Sequence, residues 1–172
     1  METLEQEVTF YTDGGAHNLG DGEYAKAGIA VYSPPTSLGI GRGFFVGDGV
    51  SSNMAESEAI IATLKYAIHN GHTNIRIISD SQLTVRHIEK ACLNRRGYEC
   101  SDPKLMKRLA IIKELIKELD FFDITHMKRD NNKEADALVR SATAKGVKIT
   151  LPSEWKDGDI TTYWDDSEFH SA

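Results

Sequence analysis

The chain has 172 residues, 40% hydrophobic and 27% charged, which places it among globular proteins and excludes disordered and collagen-like classes. At this length about 70% of the unfolded surface can be buried, so one core suffices without a stabilising staple. The net charge of −6 argues against a broad basic surface for nucleic acid, but residues 154–172 hold six acidic residues against one lysine, which leaves the rest nearly neutral.

In chain order, Val8 to Thr12 alternates and is rich in β-formers, and Asp13-Gly14-Gly15 reads as its stop. A polar loop from Asn18 to Lys26 leads to a second strand, Gly28 to Tyr32. After Ser33-Pro34-Pro35, Leu38 to Val46 reads as a third strand, completing an antiparallel meander. Asn53 is the expected cap of a helix whose apolar face includes Ala55, Ala59, Ala62 and Tyr66, and Asn70-Gly71 stops it. Ile75 to Ile78 is a short, unbroken apolar run, as in a strand buried on both faces, and it ends at Asp80. A helix from Ser81 to Cys92 and a polar loop from Asn94 to Ser101 follow.

Asp102-Pro103 then opens a helix as cap and first-turn proline, and Leu105, Leu109, Ile112, Leu115 and Leu119 give it one apolar face. Phe121 to His126 reads as a fifth strand, and Asn132 to Lys145 as a last helix stopped by Gly146. The order βββαβααβα predicts an α/β fold: a mixed five-stranded sheet, with a three-strand antiparallel meander plus parallel strands, flanked by helices. One domain over 1–146 is expected, followed by an acidic tail, 147–172, that is partly disordered. Cys92 and Cys100 lack CxxC spacing or neighbouring histidines and read as free thiols. With neither a leader pattern nor an apolar run of bilayer length, an intracellular protein, cytoplasmic or nuclear and without membrane contact, is expected.

Four carboxylates stand at positions that chemistry uses. Asp13 and Asp80 end apolar strands, where sheet-based sites collect ligands, and Glu56 and Asp136 lie near the starts of helices beside Ala55 and Ala135. Singly, each could be a helix cap or an answer to the helix dipole. Convergence of all four would force protonation unless a cation neutralised them, and an all-oxygen set favours Mg²⁺ or Mn²⁺ over zinc. Such a site suits phosphodiester hydrolysis with two metal ions. Glu58 lies about 200° around the helix from Glu56 and is expected to point away from such a site.

Taken together, YTDGGA (11 to 16), SSNMAESEA (51 to 59), ISDSQ (78 to 82) and NKEADAL (132 to 138) resemble the type 1 ribonuclease H family over about Val8 to Lys145. The resemblance implies a ribonuclease H-like fold and an endoribonuclease that cuts the RNA strand of RNA–DNA hybrids. It implies Asp13, Glu56, Asp80 and Asp136 as metal-binding and catalytic residues, with two Mg²⁺ ions per site and Mn²⁺ able to substitute. Substrate contacts are expected at Gly14, Gly15 and Ala16, at Asn53, and at Ser81 and Gln82 behind Asp80. The loop HMKRDNNKEAD lacks the glycine- and histidine-rich pattern of many members and is similar to the archaeal-like and plant-like branch, where an arginine stands in the loop. Arg129 is then the candidate, and an ordinary solvated basic residue is the alternative. His126 is given no role.

Only Arg95-Arg96 stands where some bacterial members carry a basic protrusion, so hybrid affinity is expected to rest on few phosphate contacts. The remaining readings are a catalytically silent binding or interaction module, an integrase-like relative, and the ribonuclease H domain of a retroelement reverse transcriptase. Met1 and the complete start of the meander favour a free-standing protein, expected to be a monomer. Trp155, Tyr163, Trp164 and Phe169 make the acidic tail a candidate site for a protein partner or for folding back over the cleft.

Overall fold

The computed structural model describes residues 6–17, 26–48 and 51–145. The elements follow as β1 (Val8–His17), β2 (Lys26–Ser33), β3 (Ile40–Asp48), α1 (Ser52–His69), β4 (Asn74–Ser79), α2 (Gln82–Cys92), α3 (Pro103–Ile116), β5 (Phe121–His126), a 3-10 turn (Arg129–Asn131) and α4 (Lys133–Lys145). The strands form one sheet in the order β3-β2-β1-β4-β5. Antiparallel pairing joins β1 to β2 and β2 to β3, and parallel pairing joins β1 to β4 and β4 to β5, so the expected mixed sheet is the observed one. Residues 18–25 of the expected loop, Gly146 and the tail 147–172 lie outside the described residues. No helix among those described is long and apolar enough to cross a membrane, and both cysteines are free.

Side chains alternate across a strand, and β2 uses both faces. Ile29 and Val31 join Phe10, Ile60, Leu64, Ile77 and Ile112 in the main core, whereas Ala30 meets Ala135 and Val139 of α4. α1 and α4 therefore cover opposite faces of the sheet. α1 is buried almost all round, between the sheet and α3.

Several boundaries differ from expectation. Asp13-Gly14-Gly15 does not stop β1, because β2 extends the antiparallel ladder from Asp13↔Ala30 to His17↔Lys26. The stop is real only on the other side, where pairing with β4 ends at Thr12↔Ser79. Ser51, not Asn53, caps α1: its side-chain oxygen accepts from the Met54 amide at 3.2 Å, leaving Asn53 inside the first turn. Ser81 is likewise the cap of α2, accepting from Thr84 N, rather than its first residue. Asp102 caps α3 with Pro103 at its start, as expected, but α3 ends at Ile116 and leaves Leu119 beyond it.

Two glycines set how closely the helices approach. A Cβ on Gly14 would stand 2.3–2.4 Å from backbone atoms of Ala55 and Glu56, and one on Gly43 would stand 2.5 Å from the Leu138 carbonyl oxygen. Only bare backbone lets α1 settle on β1 and α4 on β3 at these points. The first approach brings the Glu56 backbone against the strand residue that follows Asp13.

Candidate active site

β1 exchanges one neighbour for the other at Thr12–Asp13, and β4 turns off into α2 just after Ser79. The crevice this opens is the kind of place where open α/β sheets bind ligands. Asp13 lies at its floor, Asp80 follows β4, Glu56 enters from the first turns of α1 and Asp136 from the first turn of α4. The cleft holds about 540 Å³, and its lining includes these four together with Gly14, Gly15, Asn53, Ser81 and Arg129. Ser52, Val139 and Arg140 also line it, whereas Ala16 and Gln82 are not among its lining residues.

Three of the four carboxylates converge. One oxygen from each of Asp13, Glu56 and Asp80 lies within 4.8 Å of the others. Asp13 and Glu56 are buried, and one Glu56 carboxylate oxygen (Oε2) is enclosed without a hydrogen-bond partner. Burial, then the charge of Asp80, pushes the Asp13 carboxyl up from 3.8 to about 7. Burial and the charges of Asp13 and Asp80 raise Glu56 well above the ordinary range. An enclosed, under-bonded, all-oxygen set strained by its own charge fits a hard divalent cation, the class of cofactor the sequence resemblance implies.

Asp136 is held differently. Arg140 donates from Nε to one of its oxygens at 2.8 Å, and Arg129 donates to the other at 3.2 Å. Partial burial would raise the Asp136 carboxyl, but the hydrogen bonds from Arg140 and Arg129 outweigh it and hold it below the usual range. Arg129 thus touches a candidate ligand from the cleft rim.

Two further residues escaped the sequence reading. Asn132 is buried, and its Nδ2 donates to the Thr12 carbonyl at 3.0 Å and to an Asp80 carboxylate oxygen at 3.3 Å, joining the start of α4 to both strand ends. It stands in the NKEADAL motif, but nothing local marks its long-range partners. Arg140 had a weak signal, its i,i+4 spacing from Asp136. Glu58 does point elsewhere: it accepts from Arg108 Nε at 2.8 Å in a fully buried ion pair between α1 and α3. Arg95 turns back onto Asp123 at 2.8 Å, so of the expected basic pair Arg96 alone has no ion pair among the described residues.

The model of a family described as reverse transcriptase-like matches residues 12–142. A ribonuclease HI of Halobacterium salinarum is 34% identical over 92 residues, which span 54% of this chain and 43% of that protein. The crystal structure of RNase H1 from the same archaeon superposes with a TM-score of 0.66 at 29% identity, covering 81% of this chain and 99% of the other. LC11-RNase H1, isolated from compost, was solved in complex with an RNA/DNA hybrid; it superposes with a TM-score of 0.65 at 26% identity, over 80% of this chain and 97% of that one.

Proposed function

The chain belongs to the reverse transcriptase-like family, in its type 1 ribonuclease H branch, and on that premise we propose that it is an endoribonuclease hydrolysing the RNA strand of RNA–DNA hybrids. The observation that carries this reading is the convergence of Asp13, Glu56 and Asp80 in the crevice where β1 parts from β4. The substrate class follows the relative solved with a hybrid.

Asp13, Glu56 and Asp80 would hold divalent cations, Mg²⁺ with Mn²⁺ as substitute, and Asp136 would complete the set. A pair of ions held by these carboxylates would supply activation of the attacking water and charge stabilisation at the departing oxygen. The protein's own groups do the rest. Asn132 fixes the Asp80 carboxylate, and Gly14 lets the α1 backbone close on β1 so that Glu56 reaches Asp13. Gly14 and Gly15 line the floor and Asn53 and Ser81 the wall, where backbone amides and short polar side chains suit phosphates and 2′-hydroxyls rather than base edges. Sequence preference is therefore weak.

The test is cleavage of a labelled RNA–DNA hybrid, an RNA duplex and a DNA duplex in Mg²⁺, Mn²⁺ or EDTA, beside an Asp80→Asn variant. Metal-dependent cutting of the hybrid's RNA strand alone, lost in the variant, is expected. Hybrid binding without cleavage under either metal would assign a silent binding module instead.

A further inference from the structure

We propose that Arg140 is an exchange arm that holds Asp136 out of the cation cluster until nucleic acid arrives, then transfers to a phosphate and releases Asp136 to join Asp13, Glu56 and Asp80. The inference deepens the reading above and rests on it for the identity of the nucleic acid. Its first ground is the asymmetry of the site: three carboxylates converge, while the fourth has a guanidinium on each oxygen. Its second is accessibility. The Asp136 side chain is 19% exposed, whereas those of Arg140 and Arg129 are 58% and 65% exposed, so the arginines reach in from the rim of the cleft that the duplex would enter.

The exchange is chemically matched. A guanidinium presents the same donor fork to a phosphate as to a carboxylate, and ion pairs this exposed are weak enough to trade partners. Arg140 is better placed than Arg129 to act as the arm. It shares α4 with Asp136 at i,i+4, so it can leave by side-chain rotation, with Val139 keeping the helix seated against Ala30. Cation affinity and hybrid affinity then become linked, each raising the other.

Mn²⁺ binding to the full chain, followed by calorimetry without nucleic acid, tests the hold on Asp136 independently of the substrate. Arg140→Gln is expected to bind Mn²⁺ about two- to fivefold more tightly than wild type, the scale of an exposed ion pair. In an Asp136→Asn background the same substitution is expected to add nothing. An equal gain in that background, or no gain in either, overturns the proposal. A second arm measures hybrid binding in EDTA against salt: Arg140→Gln is expected to weaken affinity and lower the salt slope by about 1, with Arg140→Lys recovering most of the slope. An unchanged slope overturns the transfer to phosphate. If wild type bound no hybrid, the assigned substrate would fail while the Mn²⁺ arm still judged the latch. Thermal melts of each variant report whether it folds.

Discussion

Replacing Asp13 with asparagine in the cation-free protein removes one charge from a cluster that has too many, and the size of the effect can be worked from the site. The folded Asp13 carboxyl sits at about 7 against an ordinary 3.8, chiefly because it is buried and faces Asp80. The folded state therefore binds this proton more tightly than the unfolded chain does, so stability is highest at low pH and falls as pH rises from about 4 to about 7. The gap corresponds to about 4 kcal/mol. Glu56, raised for the same reasons, acts in the same direction, and Asp13→Asn relieves part of it.

For a chain of this size that is a Tm difference on the order of 10 °C. Thermal melts of wild type and Asp13→Asn in EDTA from pH 4.5 to 8.5 should show the variant gaining on wild type as pH rises, with a plateau above about 7. Saturating Mg²⁺ at pH 8 should restore the wild type and leave the variant nearly unchanged. A wild-type-to-variant difference that stays flat across this pH range would refute the argument, because groups elsewhere titrate equally in both proteins.

Gly14→Ala sets a methyl group 2.3–2.4 Å from the α1 backbone, so urea titration should show a loss of at least about 1–3 kcal/mol, and Mn²⁺ affinity should fall as Glu56 is pushed from Asp13. Arg108→Met breaks the buried ion pair to Glu58 and should cost about 3–5 kcal/mol by denaturant unfolding, while the double variant with Glu58→Leu recovers most of it. Ser51→Ala removes the cap of α1 and should cost about 1 kcal/mol in the same assay, whereas Asn53→Ala, once the expected cap, should leave stability nearly unchanged.

The sheet, its mixed pairing and the helix order were legible because each element carries its own period and punctuation: the run Ile75 to Ile78, the Asp102-Pro103 start, the Asn70-Gly71 stop with Gly71 at φ +79°. What failed were readings that depend on a neighbour far along the chain. Gly14 and Gly15 look like a terminator, yet the β2 ladder carries β1 past them, and Gly14 answers the close approach of α1. Ser51 and Asn53 are both good caps, and only the observed bond to Met54 separates them. The angle of Glu58 on the helix turns it away from Glu56, but its partner lies 50 residues away and has no local signature. At the site, Asp13, Glu56 and Asp80 come together as their places predicted, while the two arginines on Asp136 followed from no single motif.

β1 has a further consequence for how the molecule breathes. Its first half is laddered to β4 and its second half to β2, and only Tyr11 and Thr12 share both neighbours. Protection against hydrogen exchange should peak at those two amides and fall from Asp13 toward His17, where one ladder alone must open. The carboxylate floor is then fastened beside the strand's stiffest point, while the strand beyond it can open by smaller excursions. The end of β1 can therefore fray without disturbing the core around Phe10, and exchange should be fast at His17 even where it is globally limited a few residues away.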